Sequence, residues 1–192
     1  MATQYLPPIL AKLRQIAPEI ELEIIASNEV RDLTRREADI SIRHARPEQP
    51  ELIGKLLRET RAYFYASTAF LDRHGRPKSA GELTRYDFIG FDQNERFLPY
   101  LNELGLSLTL RNFKLNTGSG SVLVELIRQG LGIGMLTEDM ARLYPELERA
   151  LPGLRPIPVP VWLVTHRELH TSRRIRLVFD LLAQELAWPE PA

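Results

Sequence analysis

Few residues in this chain have the type and spacing that chemistry requires, and most fail the test for catalysis. There is no cysteine, so disulfides, thiol nucleophiles and cysteine-bound metals are excluded. His44, His74 and His170 have no partner at metal-ligand spacing. His166 falls on an apolar strand, where a hinge or packing role suits it better than a ligand role. No serine stands in a Gly-x-Ser-x-Gly elbow, and no His-Glu-x-x-His occurs. Gly130, Gly132 and Gly134 lead from a helix into a strand, whereas a dinucleotide fingerprint leads from a strand into a helix. The loop Thr117-Gly118-Ser119-Gly120-Ser121 lacks the following Lys-Ser/Thr of a phosphate loop. Enzymatic activity is therefore not expected, and no cofactor or metal is implied.

The remaining polar residues suit binding. Asn28 follows the strand expected over Ile20–Ala26, and Asn is a favoured helix N-cap. The loop Thr117–Ser121 stands in the same relation to Phe113–Asn116. Helix N-termini offer N–H donors and a positive dipole end to an anion. Gly118 and Gly120 would admit a ligand close to the backbone, and Ser119 adds a hydroxyl. Taken alone, both sites also read as ordinary caps. Arg43 ends a strand, as a cation for a ligand carboxylate or as a solvated or lobe-bridging side chain. Thr137 ends another, as a ligand hydroxyl or as the cap of a helix at Glu138. These groups favour a small organic anion; Asp92 is the nearest acidic exception.

The elements that must position these groups alternate between helix and strand. Leu6, Ile9, Leu10, Leu13 and Ile16 recur at helical spacing until Pro18. Glu19–Ile24 alternates as a half-buried strand, a short helix is expected over 29–36, and Ala38–Arg43 is the next strand. That order implies a right-handed parallel crossover. Apolar runs follow at Leu52–Leu57 and Ala62–Ala66, then a helix Thr68–His74. Ser79 and Glu82 form a capping-box pattern. Strands are expected at Phe88–Phe91, Phe113–Asn116, Ile133–Leu136 and Val159–Thr165. Helices are expected from the serine-glycine loop to Gln129, from Glu138 to Leu151, and around Ile175–Leu186. The alternation makes the fold α/β.

Composition narrows the partners. The chain has 192 residues, 44% of them hydrophobic, enough to bury a core. Lys plus Arg and Asp plus Glu both count 25, so no basic excess exists to drive counterion release from nucleic acid. Arg173, Arg174 and Arg176 read as the solvated start of the last helix. No run approaches the roughly 18–20 apolar residues of a membrane span. The opening Met1–Tyr5 lacks the basic and apolar stretches of a signal peptide. A cytoplasmic location is expected.

Three stretches, in this order, resemble the effector-binding domain of LysR-type transcriptional regulators. The first runs from Leu6-Pro7-Pro8 through Ile20-Glu21-Leu22-Glu23 to Leu33–Arg43. The second is Tyr65-Ala66-Ser67, leading to Glu82-Leu83 and Phe88-Ile89. The third is Ser119 to Leu136, with its Gly130-Leu131-Gly132-Ile133-Gly134 exit. The resemblance implies a type 2 periplasmic-binding-protein-like fold, two Rossmann-like lobes joined by two crossing strands. Lobe I would be residues 1–66 with 162–192, and lobe II residues 67–161. The family's first strand, its hydroxyl-donating loop and the helix-turn-helix are expected to be missing here, so DNA would be contacted only through an N-terminal segment outside this sequence. The implied function is to bind a small-molecule effector between the lobes, with Asn28, Arg43, Thr117, Gly118, Ser119 and Thr137 as site residues. The implied assembly is a homodimer in which the first helix and strand of one subunit meet the helix Val122–Gln129 of the other, with a tetramer open to the full-length protein. A solute-binding protein of a transporter shares the fold and is the competing reading.

Overall fold

The computed structural model describes residues 2–26, 33, 37–92 and 94–187. Residues 1–60 with 158–192 form one compact unit, and 61–157 form a second.

In the first unit, helix α1 spans Leu6–Ile16 and carries its prolines in the first turn, where no intrahelical N–H is required. It buries Ile9 and Leu13 and ends at Ala17, ahead of Pro18. Helix α6, Arg173–Leu186, buries Val178, Phe179, Leu182, Ala183 and Leu186 along one stripe. Arg173, Arg174 and Arg176 are exposed at its start. The two helices share a core with Leu57, Val161 and Leu163 from strands β2 (Leu52–Ser67) and β7 (Ile157–His166). Strand β1, Ile40–Arg43, pairs antiparallel with β7, from Ile40 opposite Thr165 to Arg43 opposite Trp162. That pairing begins beyond Pro158 and Pro160, which have no N–H to give a ladder.

Two expectations fail here. Glu19–Ile24 is not a strand: Ile20 is buried, but Leu22, Ile24 and Ile25 are exposed and no ladder runs along them. An alternating pattern makes a strand only when a neighbour takes its N–H and C=O groups. Instead the backbone here makes a turn, with Ile20 N donating to Ala17 O at 3.1 Å. The parallel crossover built on that strand is therefore not formed among the described residues. The short helix expected over 29–36 falls, Leu33 apart, outside the described residues.

In the second unit, β3 (Phe88–Phe91) and β4 (Phe113–Thr117) pair in parallel, and Phe88 also bridges Ile133 in parallel. Helix α4, Gly120–Arg128, packs Leu123, Val124 and Ile127 into a core with Tyr65, Ile89 and Leu136. Gly130 follows with φ 70°, the left-handed cap expected of a helix terminus. Strand β5, Gly134–Thr137, pairs antiparallel with Ala62–Tyr65 of β2. The two apolar runs on either side of Arg58–Arg61 are thus one sixteen-residue strand. Helix α2, Thr68–His74, follows it with Ser67 as its cap.

The helix expected from Glu138 to Leu151 stops at Ala141, as α5. Pro145 cannot continue it, and Leu147–Arg149 forms strand β6 against Tyr65–Ser67. Conversely, α3 (Asn94–Glu103) is a helix that the pattern did not suggest, because Pro99 sits inside it.

Ile127 is fully buried, while Leu131 is 48% exposed. Ile127→Ala is expected to destabilise the protein by about 2–5 kcal/mol, and Leu131→Ala by no more than about 0.5 kcal/mol, in urea unfolding followed by circular dichroism.

Candidate functional site

Arg43 closes β1 in the first unit. Its Nε is buried and has no hydrogen-bond partner among the described residues. Burial pushes its pKa below the ordinary arginine value. Its surroundings are cationic and aromatic: Trp162 lies opposite in the ladder, and the Arg46 guanidinium stands 5.8 Å over the Trp162 ring. His44, the next residue, bonds through Nδ1 to the Pro160 carbonyl at 3.0 Å. That contact ties the chain leaving β1 to β7.

In the second unit, β4, β3 and the Ile133–β5 segment run in the same direction, so their carboxyl ends share one edge. Thr117, Phe91 and Thr137 are the terminal residues there. Thr117 Oγ1 accepts from Ser119 N at 3.0 Å, which folds the loop over the end of β4. Ser119 caps α4 with a long contact of 3.5 Å to Val122 N, and its Oγ lies 3.0 Å from the Ser121 hydroxyl. A Cβ on Gly118 would meet nothing within 4 Å, so the loop is open at that point. Thr137 precedes α5 without a side-chain capping bond. Thr117, Gly118, Ser119 and Thr137 thus belong to the second unit and Arg43 to the first, and Asn28 lies outside the described residues.

A cavity of about 470 Å³ adjoins the same edge of the second unit, lined by Asp92, Asn94, Glu95, Arg96, Leu110, Phe113 and Asn116. Of these only Asp92 was singled out in the sequence. Asp92 holds φ at 57°, a left-handed conformation that Asp tolerates better than most residues. Its N–H donates to Thr117 O at 3.1 Å. Asn94 Oδ1 accepts from Phe91 N at 3.1 Å, and its Nδ2 donates to Asn116 Oδ1. The two asparagines occupy the space in front of Gly90, where any Cβ would overlap both. A glycine inside an apolar strand was the available signal that another group approaches the backbone closely. The cavity carries Asp92 and Glu95 beside Arg96, so the acidic exception expected at Asp92 has a second acid next to it.

The chain belongs to the LysR substrate-binding-domain family, whose model matches residues 1–187. It is 27% identical over 196 residues to the HTH-type transcriptional regulator CrgA of Neisseria meningitidis serogroup C, covering 97% of this chain and 64% of that protein. The chain thus spans under two thirds of the length of that relative. Among solved structures it resembles the CrgA regulatory domain of Neisseria meningitidis, with TM-score 0.83, 25% identity, and 97% and 94% of the two chains covered. It also shares its fold with the Synechocystis PCC6803 CcmR regulatory domain in complex with 2-PG, at TM-score 0.76 and 17% identity over 100% and 95% of the chains. The fold is therefore the type 2 periplasmic-binding-protein-like α/β fold of LysR regulatory domains. The transporter solute-binding reading is not favoured, since the matching relatives are transcriptional regulators.

Gly90→Ala is expected to lower stability by about 1–3 kcal/mol, because the asparagine pair cannot withdraw without losing its bonds to Phe91 and Asn116. Gly118→Ala, in open space, is expected to stay within about 0.5 kcal/mol of the parent. Thermal unfolding of the two variants side by side distinguishes them.

Proposed function

We propose that this chain is the sensor of a LysR-type regulator that responds to a small organic anion, with Arg43 receiving the anion's carboxylate. One observation carries this reading. Arg43 is a part-buried cation with a buried, unpartnered Nε among the described residues. Withdrawing a guanidinium from water without a counter-charge costs free energy, and a ligand carboxylate would recover it through charge-assisted bonds. Thr117, Gly118, Ser119 and Thr137 on the second unit are further candidates for effector contact, as is Asn28. A sensing role fits the relatives, which are transcriptional regulators, and the CcmR regulatory domain, whose complex holds a small ligand.

The sensor works without catalysis, as part of a cytoplasmic homodimer. DNA is contacted by a helix-turn-helix segment outside this chain, as the HTH-type relatives suggest. Among the described residues no helix is long and apolar enough to cross a membrane. Val122 on α4 is 46% exposed and Ile16 on α1 is 60% exposed, apolar surface of the kind that a subunit contact would cover.

A thermal-shift screen of carboxylates against amines tests the reading. A carboxylate is expected to raise the melting temperature, with amines inert. Arg43→Gln is expected to cost about 1.5–3 kcal/mol of binding, tenfold or more in affinity. Stabilisation by amines alone, or carboxylate binding unchanged in Arg43→Gln, would contradict it.

A further inference from the structure

The second unit holds another charged cluster, away from the Thr117–Ser119 loop in sequence and built on β2, α5 and β6. Arg149 on β6 lies opposite Tyr65 on β2. Its guanidinium stacks 3.7 Å from the centroid of the Tyr63 ring and donates to Glu138 Oε1 at 2.7 Å. It also bonds the Tyr65 hydroxyl, a phenol whose pKa burial raises while Arg149 pulls it down. A second guanidinium, from Arg142, reaches the same Glu138 Oε1 at 3.2 Å. The three side chains border a groove of about 280 Å³ whose other walls include Ala141, Tyr144 and Leu147.

We propose that this groove is a second binding site, for a small monocarboxylate with a short apolar tail. Arg142 and Arg149 converge on the one carboxylate of Glu138, so two guanidiniums stand together at the rim of the groove. Arg149 is already fixed by its ring and its carboxylate, so a ligand meets a pre-oriented fork with little further loss of rotamer freedom. Arg142 is half exposed and free to turn onto the ligand's second oxygen. The paired guanidiniums attract a carboxylate and repel an ammonium group. Ala141 and Leu147 give an aliphatic tail its apolar wall. The site does not use Arg43 or the Thr117–Ser119 loop, so it stands or falls separately from the effector reading.

The test is a titration of hexanoate into the isotope-labelled 192-residue chain, followed by amide chemical shifts. Saturable shifts are expected at Ala141, Leu147 and Arg149. Arg142→Gln and Arg149→Gln are each expected to weaken them about tenfold, the scale of one charge-assisted bond. Arg43→Gln is expected to leave them unchanged. Arg142 lies at the surface, so its variant keeps the test valid even if Arg149→Gln fails to fold. The proposal is overturned if hexylamine or sulfate shifts the same amides as strongly. It is equally overturned if hexanoate produces no shifts there, if folded Arg142→Gln titrates like the parent, or if Arg43→Gln abolishes the shifts.

Discussion

The register of β2 governs the structure. This one strand supplies Leu57 to the core of the first unit and Tyr65 to the core of the second. A slip of one residue would withdraw Leu57 from the first core and Tyr65 from the second. The neighbours of β2 inherit its register. It lies beside β7, whose other neighbour is β1, and its C-terminal half pairs with β5 and β6. Arg43 stands where it does because it faces Trp162 on β7. Thr137 stands where it does because it faces Ala62 on β2.

Such a frame can hold polar groups that gain nothing from the fold itself. The Arg43 Nε gives up hydration without a hydrogen-bond partner among the described residues, and Asp92 adopts a left-handed backbone at the end of β3. Each is a local cost that rigid neighbouring strands sustain. Natural sequences place such conflicts at functional sites more often than elsewhere. The Arg149–Glu138–Arg142 cluster differs in kind, because both of its guanidiniums have a carboxylate partner. Its location also explains a failed expectation. The helix from Glu138 ends early because Leu147–Arg149 takes the open edge of β2, and that pairing brings Arg149 beside Tyr65.

What the sequence revealed followed from periodicity and caps. The α4 stripe, its Ser119 cap and the Gly130 terminus are all local features, and all are present. So are α1, stopped before Pro18, and the apolar stripe of α6. What it concealed depended on partners distant in the chain. Glu19–Ile24 alternates like a strand, yet only a neighbouring strand makes it one. Leu147–Arg149 carries no pattern of its own and becomes a strand because the edge at Tyr65–Ser67 accepts it. Pro99 hid α3, and with α3 went Asn94, Glu95 and Arg96, three of the seven residues lining one cavity. Arg43 was legible as a cation at a strand end, but the burial of its Nε without a partner among the described residues depends on distant chain segments.

The central claim is that an anionic effector is held by Arg43. Amide hydrogen exchange with and without a stabilising carboxylate addresses it directly. Slower exchange is expected around residues 40–44 as the ligand saturates, and the effect should vanish in Arg43→Gln. Absence of protection there, or protection persisting in the variant, would contradict it.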